Sequence, residues 1–165
     1  MGSWKSRKTL EAGDRAPDFE LPALGGESQS LKSILEGGPA VLAFFKVSCP
    51  VCQFTFPFLE RIHQGAGGSK LQLIAVSQDD GRSTRDYNRQ YGVTFPTLLD
   101  EGGKGYPVSN AFGITTVPAL FLIEPDGNIS MTSDGFSKRD IEAVAQRAGV
   151  APFRQDEYVP EWQAG

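Results

Sequence analysis

Two cysteines, Cys49 and Cys52, are the only ones in 165 residues, and they stand at C-x-x-C spacing at the end of an apolar run, Phe44-Phe45-Lys46-Val47-Ser48-Cys49-Pro50-Val51-Cys52. Cysteines used as small hydrophobes scatter through a core, so a lone pair this close points to chemistry that the two sulfurs do jointly. Three uses compete. A structural zinc site takes about four ligands, whereas this chain adds a single histidine, His63, and no second cysteine pair. A disulfide that closes so short a loop removes little entropy from the unfolded chain. Reversible dithiol redox chemistry fits the pair best.

Pro50 suits the first position of a helix, where its missing N–H is no loss, and this makes Cys49 the helix N-cap. A sulfur there faces open backbone donors and the positive end of the helix dipole, which favour thiolate over thiol. Cys49 is therefore the expected nucleophile. Cys52, one turn further in, is expected to be buried and to resolve the intermediate by closing the Cys49–Cys52 disulfide, so that no other cofactor is needed. Lys46 is either a charge that helps hold the thiolate or a solvated lysine at a strand end. His63, in the helix's last turn, reads as a surface residue favoured by the C-terminal dipole rather than as a catalytic group.

The elements that position this pair follow from pattern. Positions 40–45 are apolar throughout, as in a central strand covered on both faces. Over 50–64 the residues Val51, Phe54, Phe58, Leu59 and Ile62 form one helical stripe with Phe56 off it, and Pro57 is expected to kink the helix. Upstream, Gly13, Pro17, Pro22 and Gly25-Gly26 around Phe19-Glu20-Leu21 suggest a small hairpin beside the main sheet, followed by a short helix over 31–35 capped by Ser30. Downstream come a strand over 71–76, a polar helix over 83–91 stopped by Gly92, a short strand over 97–99 and a short helix over 108–112. A β-hairpin over 119–123 and 129–132, turned by Pro125-Asp126-Gly127-Asn128, precedes a helix over 138–148 capped by Ser137. Strands that alternate with helices and then give way to a hairpin imply an α/β domain with a mixed central sheet and helices on both faces.

One domain over 10–149 accounts for this pattern, with a flexible N-terminus over 1–9 and an extension over 150–165. The extension carries Phe153, Tyr158, Val159 and Trp162, so it is either a partly disordered end or a segment docked through its aromatics. The formal charge of −4 offers no basic field for nucleic acid or anionic lipid. The apolar runs are too short to span a bilayer. The N-terminus starts basic but has no apolar stretch behind it, which reads as cytoplasmic, or as extracytoplasmic if a leader once preceded Met1-Gly2-Ser3.

With these motifs placed, the chain resembles the thioredoxin superfamily, and within it the TlpA/ResA-like thiol-disulfide oxidoreductases related to AhpC/TSA proteins. The residues that carry the resemblance are Gly13-Asp14-Arg15-Ala16-Pro17-Asp18-Phe19, Cys49-Pro50-Val51-Cys52 with Pro57, Tyr91-Gly92-Val93-Thr94-Phe95-Pro96, and Val117-Pro118-Ala119-Leu120-Phe121-Leu122-Ile123 before Pro125-Asp126-Gly127. It implies a thioredoxin-like fold with an N-terminal β-hairpin. It also implies a cis Pro118 facing the disulfide, with Thr116, Val117 and Pro50 at the substrate-binding surface. The implied partners are a disulfide-bearing protein or small thiol and a separate electron donor, served by a monomer.

Departures from the family pattern fall around Cys52. Ala43 stands where thioredoxins carry a buried acid, Thr55 where ResA-like proteins carry a glutamate, and Ser48 where an aromatic often precedes the first cysteine. Two rival functions stay open at this level. A peroxiredoxin-like thiol peroxidase would want a threonine and a proline where Lys46 and Leu42 stand. A non-catalytic binding module carrying a soft metal ion would want histidine or methionine ligands beyond His63, Met1 and Met131.

Overall fold

An unbroken apolar run has no face to offer water, so it must lie between two layers, and the computed structural model, which describes residues 8–165, places 40–45 there. In chain order the elements are β1 (Glu20–Pro22), β2 (Ser28–Ser30), α1 (Leu31–Leu35), β3 (Ala40–Phe45), α2 (Pro50–Gly65), β4 (Gln72–Ser77), α3 (Gly81–Tyr91), β5 (Thr97–Leu99), α4 (Pro107–Ala111), β6 (Ala119–Ile123), β7 (Ile129–Asp134), β8 (Phe136–Ser137), α5 (Lys138–Ala148) and β9 (Trp162–Gln163). The central sheet has five strands in the order β5-β4-β3-β6-β7. β3 runs parallel to β4 and antiparallel to β6, so the sheet is mixed. The β1–β2 hairpin lies beside β5 through the Ala23–Leu98 bridge and a 2.8 Å bond from the Leu24 N–H to the Thr97 carbonyl.

Alternate side chains of β3 feed two separate cores. Val41, Ala43 and Phe45 pack with α2, α3 and α5, whereas Ala40, Leu42 and Phe44 pack with α1, α4 and the N-terminal hairpin. The expected architecture therefore holds: an α/β thioredoxin-like fold with helices on both faces. Among the described residues no helix is long and apolar enough to cross a membrane.

Several details differ from the expectation. On α2, Phe56 is fully buried between Phe45 and Phe95, at ring distances of 4.5 and 5.8 Å, while Phe54 is 37% exposed. The helix is covered on two sides, by the sheet and by α5 with the 150–165 segment, so no single stripe describes it. It is continuous through Pro57. α3 begins at Gly81, two residues before the expected start, because the Asp80 carboxylate caps it by accepting the Ser83 N–H at 2.7 Å. β8 and β9 carry too few residues to show a period and were not foreseen.

Residues 150–165 are docked. Phe153 stacks on Phe58 at 5.1 Å, Arg61 donates to the Pro152 carbonyl at 3.0 Å and grips both oxygens of Glu157, and β9 pairs antiparallel with β8. At the other end, residues 1–7 of the stretch expected to be flexible lie outside the described residues. Thr9 donates its hydroxyl to the Gly113 carbonyl at 2.6 Å.

Candidate active site

β3 delivers the chain to one end of the sheet, and after four intervening residues α2 begins. The loop between them is clamped at Val47, whose N–H donates to Asp79 Oδ2 and whose carbonyl accepts from Gln53 Nε2, both at 2.8 Å. Cys49 follows as the N-cap of α2, with Pro50 in the first turn, as its sequence context predicts. Its sulfur accepts the Cys52 N–H at 3.1 Å, which satisfies one of the donors that a helix start leaves open.

The two sulfurs differ in surroundings. Cys49 is half-buried and Cys52 fully buried, and both are free thiols here. Burial pushes the Cys52 thiol well above its ordinary value of 9.0, the hydrogen bond with Cys49 adds to the rise, and a backbone bond at Lys46 offsets only part of it. Among the described residues no carboxylate shifts the Cys52 thiol in place of the acids missing at Ala43 and Thr55. Ala43 and Thr55 are themselves buried, and the Thr55 hydroxyl is spent on the Val51 carbonyl at 2.7 Å.

Across from the helix end lies the loop before β6. The Val117–Pro118 peptide is cis, and Cys49 Sγ donates to the Val117 carbonyl at 3.5 Å. The structure thus brings Cys49, Cys52, Pro50, Val117 and Pro118 together. Thr116 is exposed on the rim, where it lines a cleft of about 220 Å³ with Lys46, Gln78, Asn110 and Val117. Lys46 therefore borders the approach to the site. His63 lies apart, edge-on to Phe95 at 5.8 Å. A larger cavity of about 530 Å³, between Arg15, Leu31 and Asp126, contains neither cysteine.

Three features escaped the sequence: the Asp79 and Gln53 clamp on Val47, the buried Tyr87, and the approach of residues 161–165 to Val117. Tyr87 packs on Phe45 and Phe56 beside Cys52, and its hydroxyl has no partner among the described residues. Burial first, and then the two nearby cysteines, push its ionisation upward. Apart from the Gln53 bond, six positions from Val47, each joins residues distant along the chain, so no local pattern announces it.

The model of the AhpC/TSA family matches residues 12–132. The chain belongs to the AhpC/TSA family. Among family relatives, thiol-disulfide oxidoreductase ResA of Halalkalibacterium halodurans is 32% identical over 130 residues, which is 78% of this chain and 72% of ResA. The thioredoxin-like protein YneN of Bacillus subtilis is 27% identical over 143 residues, covering 84% of this chain and 81% of YneN. A crystal structure of a DsbE-type thiol:disulfide interchange protein from Chlorobium tepidum superposes with a TM-score of 0.73 at 28% identity, covering 84% of this chain and 95% of that one. This AhpC/TSA member is a thiol-disulfide oxidoreductase with Cys49 and Cys52 as its C-x-x-C pair.

Proposed function

We propose that the protein exchanges its dithiol with disulfides in polypeptide clients, with Cys49 as nucleophile, Cys52 as resolving thiol and the Thr116–Val117 backbone as the docking surface. The observation that carries this division of labour is the contrast between the sulfurs: Cys49 is reachable, capped by a helix N–H and 3.5 Å from the Val117 carbonyl, whereas Cys52 is buried behind it.

In the reducing direction the Cys49 thiolate attacks one client sulfur, the Cys49–client bond forms, and the client's other sulfur leaves as a thiolate that takes a proton. Cys52 then gives up its proton and attacks the Cys49 sulfur. The Cys49–Cys52 disulfide forms and the second client thiol departs, so two electrons and two protons pass to the client. The same steps in reverse oxidise it. Lys46, on the rim of the cleft beside Thr116, offers a charge to the client side chain that enters there.

The test is trapping. Cys52→Ser accumulates a mixed disulfide with a disulfide-bonded peptide, Cys49→Ser does not, and an alkylating reagent at neutral pH labels Cys49 of the reduced protein first. Preferential labelling of Cys52 would reverse the roles.

A further inference from the structure

The cis-Pro loop is not bare. β9 pairs with β8 through Trp162 opposite Ser137 and Gln163 opposite Phe136, the Lys138 N–H donates to the Glu161 carbonyl at 3.0 Å, and Trp162 Nε1 donates to the Asp134 carbonyl at 3.3 Å. The chain then runs onto the loop itself. A Cβ placed on Gly165 would lie 2.3 Å from the Val117 oxygen and 3.5 Å from Pro118 Cδ. That oxygen is the one that accepts from Cys49.

A second glycine permits the approach from the opposite side. Gly135, at φ 65°, donates its N–H to the Pro118 carbonyl at 2.9 Å, and a Cβ there would lie 2.3 Å from the Gln163 oxygen. Only glycine tolerates both that backbone angle and that contact. Residues 161–165 are nevertheless all exposed, with Trp162 at 59%. They are held along an edge by strand pairing, one indole bond and an exposed Lys138–Glu161 ion pair at 3.8 Å rather than by burial, which is how a replaceable strand is held. Next to them Pro50, Val51, Phe54, Tyr158, Pro160 and Gln163 enclose a mainly apolar cleft of about 360 Å³ beside the C-x-x-C turn.

We propose that residues 161–165 occupy, in cis, the surface on which a client polypeptide docks, and that the surface beneath them accepts an extended segment with a small residue opposite Val117 and an apolar side chain in the cleft at Pro50, Val51 and Phe54. This rests on the assignment of Val117 as the docking backbone. Client and segment compete for the Val117 carbonyl, so a client binds only to the fraction of molecules in which the segment has lifted. A small disulfide that needs no strand pairing reaches Cys49 without that penalty.

Two variants lift the segment and leave the cysteines and the residues of the loop unaltered: Gly165→Val, whose side chain collides with the Val117 oxygen, and Trp162→Ala. Steady-state reduction is measured with a disulfide-bonded peptide and with a small aromatic disulfide. We expect the peptide's KM to fall about ten-fold in both variants while the small disulfide's KM stays unchanged, because only the peptide requires the vacated surface. An unchanged or raised peptide KM in both variants overturns the inference.

Hydrogen exchange supplies an independent readout. The Lys138 N–H opens α5 and has no helical partner, so its protection reports the bond to Glu161. Its exchange should accelerate when Cys52→Ser carries a trapped peptide on Cys49. Undiminished protection in that adduct shows that client and segment do not compete, and sinks the inference while leaving the thiol chemistry intact. Failure of Cys52→Ser to form any Cys49–peptide adduct overturns the docking assignment and this inference together.

Discussion

Cys49 and Cys52 carry the same functional group, so their different roles come from surroundings alone. The helix start supplies Cys49 with an N–H at 3.1 Å, while the core around Cys52 supplies no ionic partner and raises its pKa. Resolution should then be the pH-dependent step, rising about ten-fold per pH unit as the Cys52 thiolate fraction grows. Thr55→Glu places a carboxylate one turn beyond Cys52, and general-base help of this kind is worth about 10²- to 10⁴-fold. Rapid-quench timing of the mixed disulfide across pH in the two proteins is the check, and wild-type resolution that is fast and flat with pH would show another proton acceptor at work. The same shift has a thermodynamic face. In the unfolded chain Cys52 ionises from 9.0 upward, whereas in the folded one burial defers ionisation to higher pH, so the contribution is complete below pH 9 and is lost progressively as pH rises above it. Denaturation of the reduced protein should lose about 1.4 kcal/mol per pH unit there relative to Cys52→Ala. Equal slopes for the two proteins would contradict the burial argument.

Tyr87 belongs at the residue scale too. A buried hydroxyl without a partner costs about 1–3 kcal/mol, so Tyr87→Phe should raise the denaturation midpoint. A lowered midpoint would reveal a partner, such as an ordered water, that the hydroxyl holds. These residues also mark what a sequence can announce. Cys49, Pro50 and Cys52 lie within one turn, and their chemistry follows from spacing and cap position. Tyr87 meets Cys52 only because α3 packs over α2, and Asp79 reaches Val47 across 32 positions.

At the scale of elements, capping and apolar runs predicted β3, α1, β5, β6 and the start of α2, because each is fixed by its own residues. The burial pattern on α2 was not predicted, since it depends on what covers the helix. The 150–165 segment is the clearest case. Its aromatics left docking and partial disorder both open, and the anchor is Arg61, back on α2. Hydrogen bonding to Arg61 holds the Glu157 carboxyl down from its ordinary 4.5 to about 2. For a carboxyl lowered on docking, the stabilisation is complete above pH 4.5 and fades as pH falls toward 2. Protection of the Lys138 N–H, its exchange relative to the unfolded-chain rate at the same pH, should therefore fall over that window in the wild type, and Arg61→Ala should show the lower protection already at pH 6. An Arg61→Ala protein with unchanged protection would place the anchor in Phe153 and the strand pairing instead.

For the molecule as a whole, β3 is the divider between two cores with different duties. Its odd-numbered face, Val41, Ala43 and Phe45, packs against the layer that holds Cys52, Phe56 and Tyr87, while its even-numbered face, with Phe44, packs against Phe112 and Phe121 at 5.3 and 5.7 Å, in a cluster that touches the cysteine site at Val117 and does not include Cys52. Both phenylalanines are fully buried, so truncation to alanine should cost each variant about 3–5 kcal/mol. Their consequences for chemistry should diverge. Phe45 stacks on Phe56 at 4.5 Å and on Tyr87 at 4.7 Å, so Phe45→Ala opens space beside the rings that bury Cys52. Water admitted there lowers the desolvation that holds the Cys52 thiol up, and resolution of the mixed disulfide should quicken at neutral pH. Phe44→Ala opens its cavity on the far side of the sheet and should leave that rate at the wild-type value. Urea denaturation fixes the stability cost of each variant, and rapid-quench timing at a denaturant-free pH 7 reads the chemistry. Equal resolution rates in the two variants, at equal stability cost, would mean that the sheet transmits the disturbance and that the two cores do not act separately.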